Sequence, residues 1–188
     1  MKRTGKTLSL SGQLPKRTFL QTLFRDPTTI LEYANVLDLT RAWKVKDFKC
    51  WIQETGLEFG TVSAPNSFGI DVQLSTDDIP GSAQWNNAGD NRGVGWGTLS
   101  YNLSDGQYKP QTFSGVSRML IHSEYWMQPD HLIQNKLTLS AQCSGTNSAL
   151  EAMDGYTLNY IVYLEEYDIT PVESIMFGIK GIAQNSTN

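Results

Sequence analysis

Residues 156–168 read YTLNYIVYLEEYD. Leu158, Tyr160, Val162 and Leu164 fall at every second position, the period of a β-strand whose side chains alternate between two faces. Ile161 and Tyr163 make the opposite face apolar as well. A strand apolar on both faces belongs in the middle of a sheet or under a neighbouring subunit.

The same period runs upstream. Phe68, Ile70, Val72 and Leu74 alternate with Gly69, Asp71, Gln73 and Ser75, the pattern of a half-buried strand. Residues 42–53, AWKVKDFKCWIQ, begin with Trp43 and Val45 on one face, then move to Phe48, Cys50 and Ile52. That change of phase near Asp47 predicts a β-bulge or a strong bend. Further strand-like runs lie at 92–101, 116–126 and 133–143, the last setting Leu137, Leu139, Ala141 and Cys143 inward. Gly93, Gly95 and Gly97 alternate within such a run, with no Lys-Ser/Thr and no helix start after them. They read as a floor on which a bulky side chain from another strand or subunit lies flat, not as a phosphate loop.

Near its end the chain changes period. In residues 170–184, TPVESIMFGIKGIAQ, Thr170 can cap a helix, Pro171 fits its first position and Glu173 closes a capping box. Val172, Ile175, Met176, Ile179 and Ala183 recur at helical spacing, and Gly178 and Gly181 weaken the helix enough that it needs packing partners. Residues 26–35, DPTTILEYAN, are ambiguous: Asp26-Pro27 can open a short helix, or Ile30–Leu37 can be a strand. Strands at this spacing with one short terminal helix argue for an all-β fold, an antiparallel β-sandwich or jelly roll.

Length and composition agree. A chain of 188 residues, 39% hydrophobic and only 18% charged, suits one domain of short strands joined by many turns. No apolar run is long enough to cross a membrane, and LSLSGQL is too polar for a secretory leader, so neither is expected. Cys50 and Cys143 lie on the apolar phase of their strands and are expected as buried free thiols.

Charge is distributed unevenly. Residues 1–49 carry ten Lys/Arg against four acids, whereas residues 50–188 carry five against fifteen. The first acid is Asp26, so Lys2, Arg3, Lys6, Lys16, Arg17 and Arg25 form a purely cationic leader. That asymmetry fits a basic arm, residues 1–25, for a polyanion, ahead of a domain over 26–188 that ends in a helix at about 170–183. Lys44, Lys46 and Lys49 either extend that basic surface or form an ordinary solvated face.

Catalytic chemistry finds little support. His122 and His131 are the only histidines, and no Gly-x-Ser-x-Gly elbow or zinc-ligand spacing accompanies them, so ordinary polar surface accounts for both. Glu165 and Glu166 are strand neighbours facing opposite sides and do not form a catalytic pair. No enzyme activity and no cofactor are expected. In the polar connection 76–91, TDDIPGSAQWNNAGDN, Asp77, Asp78 and Asp90 are calcium candidates or simply turn formers. Trp85 in that loop, with Trp96, reads as an anchor between subunits, while Trp85 folding over its own core is the plainer alternative. Read as exposed, the same two tryptophans would also suit a carbohydrate-binding β-sandwich.

Residues 91–103 (NRGVGWGTLSYNL), 131–143 (HLIQNKLTLSAQC) and 158–184 carry a family likeness in the order of their parts. The chain resembles the small single jelly-roll capsid proteins of environmental circular single-stranded DNA viruses. That resemblance implies a structural protein of the virion, assembled inside the host cell from copies of itself into an icosahedral shell. It also implies a single jelly roll whose basic arm faces the enclosed genome, single-stranded DNA held without sequence specificity, and no membrane partner. Such arms are often longer and richer in arginine than this one.

Overall fold

The computed structural model describes residues 1–16, 27–32, 40–53, 66–77, 87–103, 118–144 and 156–182. Its elements in chain order are β1 (Lys2–Gln13), β2 (Thr28–Glu32), β3 (Arg41–Ile52), β4 (Asn66–Ser75), β5 (Gly93–Leu103), β6 (Arg118–Met127), β7 (Lys136–Ser144), β8 (Leu158–Asp168) and helix α1 (Pro171–Ile182). Two antiparallel sheets form a sandwich, one ordered β1-β8-β3 and the other β2-β7-β4-β5-β6. The ambiguous segment contributes a strand, Thr28–Glu32, which starts two residues before the expected one, residues 33–37 lying outside the described residues; β8 sits centrally in its sheet, as expected.

Laid flat, a jelly roll is one long antiparallel hairpin in which strands one to four pair with strands eight to five. Here β1 pairs with β8, β2 with β7 and β4 with β5. The roll closes through β3–β8 and β4–β7. The sandwich is thus a single jelly roll with one departure: β6 pairs with β5 in the larger sheet, leaving β3 with an open edge.

That edge is closed by other groups. Trp43 exchanges backbone hydrogen bonds with Ile133 at 2.9 and 2.8 Å. The Val45 amide donates to His131 Nε2 at 2.9 Å, the Cys50 amide to the Tyr125 hydroxyl at 2.8 Å and the Ile52 amide to the Tyr101 hydroxyl at 3.3 Å. Side chains thus satisfy donors that a partner strand would otherwise take, since buried amides do not stay unpaired.

Between the sheets Phe48, Ile70, Val72, Leu74, Leu99, Leu137, Leu139, Leu158 and Val162 are fully buried. The register of β3 on β8 slips between Val45 and Asp47, which is the anticipated bulge, and it returns Phe48, Cys50 and Ile52 to the core. The strand glycines are the expected floor. A Cβ on Gly97 would stand 2.6 Å from the Tyr125 ring, and one on Gly95 would stand 2.9 Å from Met127 Sδ. Cys50 and Cys143 are buried free thiols, and burial pushes both up to about 12.

Two expectations need correction. The first half of the expected arm is not separate from the domain, because Lys2–Gln13 are the edge strand β1, while residues 17–25 lie outside the described residues. Leu8 and Leu10 pack on the core opposite Leu164 and Val162, and Leu14 just beyond is fully buried. A slip in register between Arg3 and Thr7, with Gly5 at φ 86°, lets the strand keep this pairing. His131, expected on the surface, is buried against β3.

Candidate functional site

Helix α1 begins as its sequence prescribes. The Glu173 amide donates to Thr170 Oγ1, while Glu173 Oε2 accepts from the Thr170 amide at 2.8 Å. The Met1 ammonium, 2.8 Å away, and the Thr170 donors hold the Glu173 carboxyl down to about 2. Lys180 reaches Asp130 at 3.3 Å, Gln134 donates to the buried Ser174 hydroxyl at 2.6 Å, and Phe177 packs against Ala42, Leu132 and Ile169.

The helix is thereby fixed with its apolar stripe outward. Val172, Ile175, Met176 and Ile179 are 66, 57, 64 and 60% exposed. An amphipathic helix ordinarily turns such a stripe to the core. Here the inward side holds Ser174 and Phe177, and the stripe exposes an apolar surface on the order of a few hundred Å², the size at which monomers bury a patch against something else. Sequence periodicity located these residues without saying which way they point. Ala183 lies outside the described residues.

The cations are the second feature. Arg3 lies 2.6 Å from Glu165, and Lys6 and Arg41 lie 3.3 and 3.5 Å from Glu166. Burial acts to raise the Glu166 carboxyl, but bonds from Thr4 and Lys6 and the charges of Lys6 and Arg41 outweigh it and hold the group below the usual carboxylate range. Part of the leader's charge is therefore matched by acids of β8, not offered to a ligand. Lys2 and Lys16 are exposed, and Arg17 and Arg25 lie outside the described residues.

On β3, Lys44 reaches the Pro129 carbonyl at 3.3 Å and lies 5.7 Å from the centre of the Tyr167 ring. Lys46 is exposed at the bulge, and Lys49, 3.8 Å from Asp47, lies over the Tyr125 ring at 5.0 Å. These three lysines thus flank the outer face of the smaller sheet, with Trp51 and Tyr163 exposed on that face.

Other proposed site residues are placed differently. Trp96 is 8% exposed and is not a surface anchor. A register slip between Leu74 and Ser75 sets Gly93 beneath its ring, where a Cβ would meet the indole at 2.7 Å. The carbohydrate-binding alternative loses that tryptophan, and Trp85 lies outside the described residues. Among the described residues the exposed indoles are those of Trp51 and Trp126. Their outward phase was legible in the alternation, but core-like flanking residues masked it.

Asp90 is not available to calcium. Both its oxygens bind the buried Arg92 guanidinium, at 3.0 and 2.7 Å. Asp77 takes Lys136 at 3.0 Å, and Asp78 lies outside the described residues. Among the described residues no cluster of His, Cys, Asp and Glu is arranged around a shared metal position, and no helix is long and apolar enough to cross a membrane. No protein-family model, curated protein or solved structure matches this chain.

Proposed function

We propose that this protein is a structural coat subunit, a jelly-roll body that assembles with copies of itself into an icosahedral shell around a nucleic-acid genome. The observation that carries the reading is the stripe Val172, Ile175, Met176 and Ile179, turned outward on a capped and tethered helix. Two such stripes packed together bury on the order of 1,000 Å², a weak contact for one pair. A closed shell repeats that contact at every subunit, so a weak bond is sufficient and remains reversible during assembly.

The charge distribution supports the second half of the reading. Each copy brings exposed Lys2, Lys16, Lys46 and Lys49, so a modest charge per chain becomes a dense cationic lining. Phosphates held this way release counterions, which makes binding salt-sensitive and independent of sequence. In this reading the protein resides in the virion and its nucleic acid is single-stranded DNA.

Electron microscopy and size-exclusion chromatography of the purified chain test the assembly. Closed particles that dissociate into subunits on dilution are expected. A monomer that persists at high concentration and moderate salt overturns the proposal.

A further inference from the structure

The outer face of the smaller sheet carries a regular arrangement. Three cross-strand rows lie on it: Ser9, Tyr163 and Asp47; Ser11, Ile161 and Lys49; Gln13, Asn159 and Trp51. Rows on one face repeat about every 7 Å along a strand. The Tyr163 and Trp51 rings therefore stand two rows, roughly 14 Å, apart on adjacent strands. They are 45 and 41% exposed, large values for aromatic rings on paired strands.

The surroundings leave those rings open. On the β1 side their rows end in the small residues Ser9 and Ser11 and in Gln13, all exposed. On the β3 side stand Lys46 and Lys49, and Lys46 has no ion pair among the described residues. The acids of the face are already matched, Glu165 by Arg3 and Asp47 by Lys49. In a chain with net charge −4, this is a face where positive charge and bare π-surface coincide.

We propose that this face is a stacking platform for single-stranded nucleic acid, with Trp51 and Tyr163 each receiving a base and the unmatched Lys46 holding a phosphate. Aromatic rings accept any base because every base has a π-face, and flanking cations follow the backbone. A duplex keeps its bases stacked inside and meets only the lysines here, so the platform selects single strands over double. The inference rests on the nucleic-acid half of the proposed function and is independent of shell assembly.

The test is binding of a fluorescent oligothymidine and of a duplex of equal length to the full chain, across a salt series. Wild type is expected to bind the single strand more tightly than the duplex, with quenching of tryptophan emission. Trp51→Ala and Tyr163→Ala should each weaken single-strand binding about tenfold and leave duplex binding unchanged. Trp51→Ala should also lose most of the quenching, and Lys46→Ala should reduce the salt slope by about one. Thermal melts that match wild type would confirm that both aromatic variants fold.

If the aromatic variants bind like wild type, the platform is wrong while the nucleic-acid reading stands. If wild type binds no oligonucleotide, both fall. If the variants abolish particle formation at unchanged oligonucleotide affinity, the face is a contact between copies and the platform is overturned.

Discussion

The Tyr125 hydroxyl accepts the Cys50 amide at 2.8 Å and donates to the Cys50 carbonyl at 3.0 Å, so one side chain of β6 does the work of a residue in a paired strand. Burial and the neighbouring groups push this phenol up to about 12, so it keeps its donor proton throughout the neutral range. The ring is fixed as well, edge-on to Phe48 at 4.9 Å and seated over Gly97. Tyr125→Phe keeps those ring contacts and removes only the hydroxyl. It leaves two backbone groups of β3 unpaired, at a cost of about 1–3 kcal/mol. Urea denaturation of wild type and variant checks this, and equal midpoints would show that β3 needs no such closure.

Helix α1 supplies a prediction of opposite character. Ile175 and Ile179 are mostly exposed, so replacing both with Ser should change folding stability by no more than about 0.5 kcal/mol each. The same double variant should sediment as a monomer at concentrations where wild type associates. Unchanged association would remove the stripe from the subunit contact.

Asp90 and Arg92, each 4% exposed, make a buried pair held through two guanidinium contacts and the Arg92 amide. Asp90→Ala removes the carboxylate that both guanidinium contacts reach in a buried site and should cost about 3–5 kcal/mol, whereas replacing both residues with apolar ones should cost less. Denaturation of the single and double variants gives the comparison. Added calcium should leave the wild-type midpoint unmoved, because Arg92 already occupies the Asp90 carboxylate.

How much of this was legible follows from what is local. The Asp47 bulge shows as a phase change within one strand, the Thr170 capping box as a four-residue pattern, and buried Cys50 and Cys143 as members of an alternation. β1 was hidden because its pattern is set by a distant partner: Leu8 and Leu10 are its inward apolar residues, amid cations and serines that read as a solvated leader. Trp96 is buried through a slip between β4 and β5, which no single-strand pattern encodes. The stripe on α1 was visible, but periodicity fixes only that Val172 and Ile179 share a face. Ser174 and Phe177 decide which face meets the body, through Gln134 and Leu132, residues some forty positions away.

His131 gives the last prediction, a dependence on pH. Its Nε2 accepts the Val45 amide, and its Nδ1 therefore carries the proton and donates to the Gln128 carbonyl. Burial, above all, holds the imidazole below its ordinary 6.5; Lys44 and Lys180 act in the same direction, and the Gln128 bond and Asp130 oppose them. The unfolded chain thus binds a proton that the folded chain refuses. Stability contributed by this group is complete above pH 6.5, is lost as pH falls below it, and stops falling once the folded imidazole itself titrates. Protonation would place an N–H against the Val45 amide, so the loss should centre on the open edge of β3. The carboxyls of Glu166 and Glu173, held below their usual range, lose their contributions only in more acidic solution, which leaves the window from about pH 6.5 to 5 to the histidine. Denaturation free energies of wild type should decline across that window. Those of His131→Gln, whose amide oxygen can still accept from Val45 without titrating, should stay flat. Parallel curves for the two proteins would place the acid sensitivity elsewhere.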